Sequence, residues 1–393
     1  MIELLALLLP IAAASGWYAA KKTFRSEYLT RRAKELHTSC TRGFGLLLQD
    51  KMDEAMEALS PVIESDAESL ELRLALGNFF RRRGEVEKAL AMHQALASQG
   101  GLSADQRACV SYELGMDYLG AGLLDRAEAC FSALTGIERY RAASLQQLLK
   151  IYQHEKDWSN AIHCARSLQT VNRLPHHETV AQFYCELAEE QLAADNDQRA
   201  IQFLQLARNE DDRCVRASIA LGKILTDKGL WGEALAILRD VERQDPDFLS
   251  ETLEPIGRCL ANVGLECEFP AHLQRLYWSY SCEDAACLLA DYLRNAEGLH
   301  AACAYLQAAI AKDSSLKLSR KLMQLLVLRA EEGEGGLFGS ILRSVAKPAL
   351  ARPRYRCVQC GFQGSELHWK CPSCQSWGTV KPDRDGDHIS EQF

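Results

Sequence analysis

Apolar and small residues recur with a fixed spacing between about Leu36 and Arg329. Three stretches show it most clearly: LRLALGNFFRRRGEVEKALAMHQAL, YELGMDYLGAGLLDRAEACFSAL and ASIALGKILTDKGLWGEALAILRDV. In each, a small residue is followed seven positions later by a turn residue, and five positions further on by alanine. A small residue lets two helices approach closely, and the turn residue ends the first helix of the pair. The pattern therefore predicts a succession of helix pairs.

Eight copies of this pattern can be aligned, two of them degenerate at Leu149, Lys156 and Phe269. Their third positions are Ala55, Ala89, Ala127, Ala161, Ala200, Ala234, Phe269 and Ala302, with steps of 34, 38, 34, 39, 34, 35 and 33 residues. This resembles the tetratricopeptide repeat, whose period is about 34 residues. Residues 36–330 are therefore predicted to form an all-α superhelical solenoid with a groove for a protein or peptide. An unrelated helical bundle is the alternative.

The N-terminal run from Leu4 to Ala20 contains no charged residue. As a helix rising about 1.5 Å per residue it would span roughly 26 Å, close to the thickness of a bilayer core. Basic residues follow it at Lys21, Lys22, Arg25, Arg31, Arg32 and Lys34. We predict a transmembrane anchor at residues 1–20 and a basic juxtamembrane segment at 21–35, with the bulk of the chain in the cytoplasm. A cleaved signal peptide and a buried core helix are the alternatives.

Two Cys-x-x-Cys pairs lie near the C-terminus in the stretch CVQCGFQGSELHWKCPSC. Their cysteines are Cys357, Cys360, Cys371 and Cys374. Two such pairs can place four thiolates around one ion in a tetrahedral site. Residues 354–381 are therefore predicted to be a small rubredoxin-like ribbon with one metal ion, and zinc is favoured over iron because nothing nearby implies redox partners. Two disulfides or four unrelated cysteines are the alternatives.

Aromatic residues of the ribbon predict how it is stabilised. The ribbon has a small aromatic core, formed by Tyr355, Phe362, Trp369 and Trp377. Because a unit of this size cannot fold by apolar burial alone, the metal would be its main source of stability. Because so small a unit cannot wholly bury two tryptophans, we expect it to pack against the repeats. The predicted linker, residues 331–353, is long enough for this. Five basic residues lie between 343 and 356: Arg343, Lys347, Arg352, Arg354 and Arg356. They indicate either a solvated basic linker or a segment that contacts membrane headgroups or an acidic face of the repeats. Residues 382–393 are predicted to be a disordered tail.

Charge and cysteine content narrow the class of protein. A net charge of −8 over 393 residues argues against a nucleic-acid partner. The 15 cysteines are scattered along the chain, which favours a reducing compartment, and most of those in the repeats are expected to be small buried thiols.

Motifs for catalysis are not found. The stretch GEGGLFGS lacks the lysine of a phosphate-binding loop, and His177-Glu178 is not followed by a second histidine, since position 181 is Ala181. An enzyme hypothesis would therefore rest on the metal site alone. Four thiolates leave no open position on zinc for a substrate. The chain is predicted not to be an enzyme.

The order of anchor, repeats and the terminal stretch YRCVQCGFQGSELHWKCPSCQSWGTV resembles the lipopolysaccharide assembly protein B family, also called YciM, along essentially the whole chain. The resemblance implies a single-pass protein of the bacterial inner membrane. It implies an adaptor beside the membrane protease FtsH, promoting turnover of the deacetylase that commits precursors to lipid A, and contacting other lipopolysaccharide assembly proteins. It also implies that the family's metal ligands are Cys357, Cys360, Cys371 and Cys374. Alternatives from other classes are a rubredoxin-like iron electron carrier and a nucleic-acid-binding ribbon.

Overall fold

The fold is given by a computed structural model. It describes residues 69–332 apart from 174 and 314, residues 354–383, and scattered positions between 17 and 59. The predicted anchor at residues 1–20 lies outside the described residues except for Trp17, and so do most of the predicted linker and the tail from residue 384. Within the described residues, none of the helices combines the length and the apolar character needed to cross a membrane.

Fifteen α-helices follow one another within residues 69–332. They are α1 (Ser69–Arg82), α2 (Val86–Ala97), α3 (Ala104–Gly120), α4 (Leu124–Leu134), α5 (Glu138–Glu155), α6 (Trp158–Asn172), α7 (His177–Ala193), α8 (Asp197–Glu210), α9 (Val215–Asp227), α10 (Trp231–Gln244), α11 (Leu253–Val263), α12 (Phe269–Tyr280), α13 (Glu283–Glu297), α14 (Leu299–Lys312) and α15 (Leu316–Glu332). Two short 3-10 helices, Pro246–Thr252 and Glu266–Glu268, precede α11 and α12. The chain divides into two compact units, residues 1–151 and 152–393, and α5 runs through the boundary.

Close approach within the helix pairs explains the small residue that begins each repeat pattern. A Cβ atom added to Gly222 of α9 would lie 2.5 Å from Cγ of Leu238 of α10. One added to Gly115 of α3 would lie 2.9 Å from Cζ of Phe131 of α4. The alanines of the pattern, such as Ala234, are fully buried at the same contacts. The predicted tetratricopeptide-like helix pairs are confirmed in the described residues.

In the described helix pairs, left-handed backbone at the turn position ends the first helix. Gly229 has a φ of 75°, and glycine takes this conformation without steric cost. Even the degenerate copy follows the rule, because Lys156 has a φ of 59°. The last pair differs from the predicted register: Gly298, with a φ of 97°, makes the turn in place of Glu297. Only glycine adopts such a conformation easily, so the turn moves by one residue to reach it.

A buried charge network joins three helices of the first unit. Asp117 of α3 is fully buried, and its carboxylate lies 2.7 Å from Nη1 of Arg81 and 2.5 Å from Nδ1 of His93. A second carboxylate, Glu113, lies 2.7 Å from Nη2 of Arg81. A buried carboxylate is tolerated when it is paired and hydrogen-bonded in this way. The network therefore fixes α1, α2 and α3 against one another.

A three-stranded antiparallel sheet forms the C-terminal ribbon. Its strands are β1 (Tyr355–Cys357), β2 (Gln363–Gly364) and β3 (Val380–Pro382), in the order β2-β1-β3. Cys357 pairs with Val380 across the sheet. Strand β3 extends to Pro382, one residue beyond the predicted end of the ribbon. The side chains of Tyr355, Cys357, Cys371 and Val380 are buried and form its core.

Candidate metal centre and its docking surface

Two tight turns present the four cysteines. The N–H of Gly361 donates to the carbonyl of Cys357, and the N–H of Gln375 donates to the carbonyl of Cys371, each over 2.9 Å. Both turns end in a left-handed residue: φ is 77° at Gly361 and 60° at Gln375. The two Cys-x-x-Cys segments are therefore copies of one local structure.

The four sulfur atoms converge at one place, and all lie within 4.8 Å of one another. Sγ of Cys357 is 3.8 Å from Sγ of Cys374, and Sγ of Cys360 is 3.6 Å from Sγ of Cys371. A tetrahedral zinc site with bonds of about 2.3 Å has sulfurs about 3.8 Å apart. The donor set and its spacing therefore fit, and the four cysteines can hold one metal ion.

Local hydrogen bonds and burial shift the pKa values of three ribbon thiols, those of Cys357, Cys371 and Cys374, in different directions. Burial raises the pKa of Cys357, but the Thr379 hydroxyl, 3.3 Å from its sulfur, and nearby backbone N–H groups outweigh this and lower the pKa to about 6. Hydrogen bonds from the side chain and backbone of Ser376 lower the pKa of Cys374. Burial raises the pKa of Cys371 to about 11. Since the thiolate is the form that binds metal, the lowered pKa values of Cys357 and Cys374 favour cation binding at these two sulfurs.

Trp369 anchors the ribbon to the helices of the second unit. Its ring stacks on Phe248 of the 3-10 helix Pro246–Thr252, with centroids 5.2 Å apart and planes inclined by 25°. Together with Leu367 it packs against a buried cluster that includes Val215 and Ile219 of α9. Stacked aromatic pairs of this kind contribute energy beyond their buried area. The predicted packing of the ribbon against the repeats is confirmed.

Trp377 makes a second apolar contact with the same unit. Its ring stands edge-on to Trp158, at 6.2 Å between centroids, and to Phe183 of α7, at 6.0 Å. The guanidinium of Arg216 lies over the ring at 5.8 Å. The indole Nε1–H donates to Oε1 of Gln153 over 3.5 Å. Aromatic, cationic and hydrogen-bonding contacts therefore all hold Trp377 against the helices.

Polar contacts complete the docking surface. Nζ of Lys381 lies 2.7 Å from Oδ2 of Asp245 and 2.9 Å from Oδ2 of Asp247. Burial alone would lower the pKa of Lys381, but hydrogen bonds to the two aspartates raise it, so the ammonium form is held. The Tyr355 hydroxyl donates to Oε1 of Glu251 over 2.6 Å. All three carboxylates lie in or directly before the 3-10 helix Pro246–Thr252.

Comparison with known proteins identifies the family. The family described as rubredoxin metal binding domain matches residues 355–382. Lipopolysaccharide assembly protein B of Escherichia coli K12 is 37% identical over 390 residues, which are 99% of this chain and 100% of that protein. The chain belongs to the lipopolysaccharide assembly protein B family. The member from Haemophilus influenzae is 32% identical over 397 residues, again 99% of this chain and 100% of that protein.

Solved structures of helical repeat proteins are also similar to the chain. A tetratricopeptide repeat protein from Parabacteroides merdae is 16% identical and covers 66% of this chain and 99% of its own, with a TM-score of 0.31. MamA protein is 19% identical and covers 43% of this chain and 90% of its own, with a TM-score of 0.29. These TM-scores are too low to argue from. The assignment to the lipopolysaccharide assembly protein B family rests on the full-length relatives.

Residues of the docking surface on the helices were not found from the sequence. The prediction placed Trp369 and Trp377 on the ribbon's side of the contact but named no partner for them. The partners Asp245, Asp247, Phe248 and Glu251 fall in the stretch DPDFLSE between two repeats. A phenylalanine among acidic residues in an inter-repeat break was the available signal. This stretch could be recognised as a docking site only if the ribbon were known to fold back onto it. That contact joins residues far apart in the sequence of this lipopolysaccharide assembly protein B family member.

Proposed function

We propose that the chain is an adaptor that regulates lipopolysaccharide (lipid A) biosynthesis. In this proposal it presents the committed-step deacetylase to an FtsH-type membrane protease and contacts other lipopolysaccharide assembly proteins. The observation that carries the proposal is the relationship over the full chain to proteins named lipopolysaccharide assembly protein B. Helix pairs of the tetratricopeptide type support it, because their exposed helix faces bind proteins. The proposal assigns no catalytic residue.

The adaptor would be tethered to the bacterial inner membrane through residues 1–20, with the remaining residues in the cytoplasm. The basic residues after Ala20 support this orientation. A tether raises the effective concentration of the adaptor beside a membrane protease, so a modest affinity for the client suffices. Fusion of a reporter to the C-terminus tests the orientation. A reporter that is active only on the periplasmic side, or a mature chain that begins near Gly16, would contradict it.

The ribbon would hold zinc through Cys357, Cys360, Cys371 and Cys374, and the ion would be structural. Four thiolates close the zinc coordination shell and stabilise a unit too small for a core of its own. The second candidate function is a rubredoxin-like electron carrier with iron at this site. Its support is the exposure of Cys360, which leaves one sulfur open to a redox partner. Full-length protein purified without added metal discriminates between them: zinc by elemental analysis supports a structural site, and a reversible iron–thiolate absorption band supports the carrier.

Docking of the ribbon would be necessary for adaptor function. Trp369, Trp377 and Lys381 hold the ribbon against the helices of the second unit. In this proposal the helices bind the client, and the metal affects client binding through the docked ribbon. The variant Cys371→Ser/Cys374→Ser removes two ligands while leaving residues 1–20 intact. We expect faster hydrogen exchange in the ribbon and in α9, and a longer lifetime of the deacetylase in cells.

The matched control is Cys267→Ser, which changes an exposed cysteine of the repeats. It should leave hydrogen exchange, client lifetime and co-purification with the protease as in the parent protein. Normal client turnover in the double cysteine variant would refute the role of docking. If the deacetylase is equally long-lived in cells that carry the parent protein, the adaptor proposal itself would be refuted.

A further inference from the structure

Two buried thiols meet next to the docking surface. Sγ of Cys185, on α7, is 3.9 Å from Sγ of Cys214, the residue immediately before α9. Both side chains are buried and both cysteines are free. A disulfide bond is about 2.05 Å long, so the sulfurs would have to approach by about 1.9 Å.

Metal binding does not explain this pair. Within the described parts of the chain, the only group of three or more potential metal ligands is that of the ribbon cysteines. Packing alone would explain two small apolar side chains, since buried cysteines are common in helical cores. The chemical surroundings of Cys214 argue for more than packing.

Cys214 lies at the N-terminus of a helix, where unpaired backbone N–H groups favour an anion. A hydrogen bond from the Cys185 thiol lowers the pKa of Cys214 against the effect of burial, with help from the N–H of Ala217 and the charge of Arg216. Burial and the shared proton raise the pKa of Cys185. The helix N-terminus beside Cys214 favours its thiolate, so we take Cys214 as the attacking thiol and Cys185 as the resolving thiol.

We propose that Cys185 and Cys214 are a redox-active dithiol that low-molecular-weight disulfides oxidise to an intramolecular disulfide. The Cys214 thiolate attacks one sulfur of the small disulfide, forms a mixed disulfide and releases one thiolate. Cys185 then loses its proton and attacks Sγ of Cys214, which closes the Cys185–Cys214 bond and releases the second thiolate. Two cysteine thiols and one small disulfide give one protein disulfide and two small thiols, so the electrons balance.

Access to this pair is controlled by the ribbon. Val215 and Arg216 follow Cys214 directly. Val215 belongs to the buried cluster against which Trp369 and Leu367 pack, and Arg216 lies over Trp377. Arg216 also pairs with Glu186, next to Cys185, at 2.8 Å. An oxidant can reach the buried sulfurs when these contacts open, so the rate of oxidation should report how often the ribbon lifts.

The experiment uses the full-length, metal-loaded chain in a series of reduced and oxidised glutathione buffers. After acid quenching, alkylation and digestion, mass spectrometry detects the peptide pair linked through Cys185 and Cys214. We expect this linkage to accumulate in the oxidised buffers and to be lost in Cys185→Ser and in Cys214→Ser. The matched control Cys303→Ser, on a buried cysteine of α14, should keep it. Glutathione adducts without the linkage, or a linkage that forms only in denaturant, would overturn the proposal.

Control by the ribbon is tested in the same buffers with Trp377→Ala. Because this change removes the aromatic contact over Arg216, we expect the linkage to form several times faster than in the parent chain. Val358→Ala, at a side chain that is 69% exposed on the ribbon, serves as the matched control and should not alter the rate. An equal rate in all three proteins would refute control by the ribbon.

Discussion

The hydroxyl of Tyr355 donates a hydrogen bond to the carboxylate of Glu251 across 104 residues of chain, over 2.6 Å. The tyrosine ring belongs to the core of the ribbon, whereas its hydroxyl reaches the 3-10 helix of the repeats. Burial and this hydrogen bond raise the pKa of Tyr355 to about 12, so the hydroxyl keeps its proton at neutral pH. One side chain therefore connects the ribbon's internal core with its docking surface.

Tyr355→Phe should loosen docking without unfolding the ribbon. The change keeps the buried ring and removes the donor to Glu251, and a hydrogen bond to a charged group contributes about 1.5–3 kcal/mol. Because Arg354 lies 3.9 Å from the same carboxylate, we expect a cost of about 1–2 kcal/mol in the free energy of local opening. Native-state hydrogen exchange of residues 354–383 measures it. Unchanged exchange would show that the contact contributes nothing.

Tyr305→Phe is the matched control for that substitution. Its hydroxyl is buried and has no hydrogen-bond partner within the described part of the chain. Removing a buried polar atom without a partner should not destabilise the protein, and should raise the free energy of unfolding by up to about 1 kcal/mol. Denaturant unfolding compares the two variants directly.

Trp369→Ala should release the ribbon more strongly than loss of the hydrogen bond does. Truncating a fully buried aromatic residue costs about 3–5 kcal/mol, and since Trp369 is only partly buried we expect about 2 kcal/mol. The change also uncovers Val215 and Ile219. Faster hydrogen exchange in both the ribbon and the first turn of α9 is the expected result. Faster exchange in the ribbon alone would show that α9 does not depend on docking.

The helix pairs could be predicted from the sequence because their causes are local. A glycine at position 222 indicates a close helix contact, and a glycine at position 229 indicates a turn. The period of the repeats predicts where along the chain each feature occurs. The four cysteines indicate a candidate metal site in the same way, through spacing within a short stretch. The last turn shows where prediction from spacing fails. The repeat spacing placed this turn at Glu297, but the chain turns at Gly298, because glycine adopts a positive φ without steric cost.

The partners of the ribbon could not be predicted, because they depend on contacts between distant residues. Lys381 lies 136 residues from Asp245, and nothing in the local sequence of either residue specifies the other. The expected source of attraction was the basic linker, most of which lies outside the described residues. Among the described residues, Lys381, beyond the predicted basic group, makes the short ion pairs between ribbon and helices, whereas Arg354 of that group lies 3.9 Å from Glu251.

Gly222→Ala should destabilise the second unit, since the new Cβ would lie within 2.5 Å of Leu238. Overpacking of this kind costs about 1–3 kcal/mol. The matched control is Gly232→Ala in the neighbouring helix α10, where a Cβ meets no atom within 4 Å. There the gain in helix propensity should stabilise the protein by about 0.5 kcal/mol. Opposite shifts of the denaturant midpoint are expected, and a loss of stability in both variants would contradict the close-contact explanation.

His272 should make the second unit sensitive to mild acid. Burial, with the positive charges of Arg275 and Arg239, lowers the pKa of His272 to about 4, while Glu242 opposes the shift. Nη2 of Arg275 lies 3.3 Å from Nδ1 of His272 and can donate to it only while that nitrogen is unprotonated. The unfolded chain binds its proton near pH 6.5, so stability is complete above that pH and is lost as the pH falls toward 4.

The variant His272→Gln isolates this effect, because glutamine keeps an acceptor for Arg275 and does not titrate. After allowance for solvent around a partly exposed side chain, we expect the parent chain to lose about 1–2 kcal/mol more than the variant between pH 7 and pH 4.5. Urea unfolding at the two pH values measures the difference. Other acid-sensitive groups act equally in both proteins and cancel. Equal losses would mean that the folded protein accommodates the imidazolium, with Glu242 compensating for the two arginines.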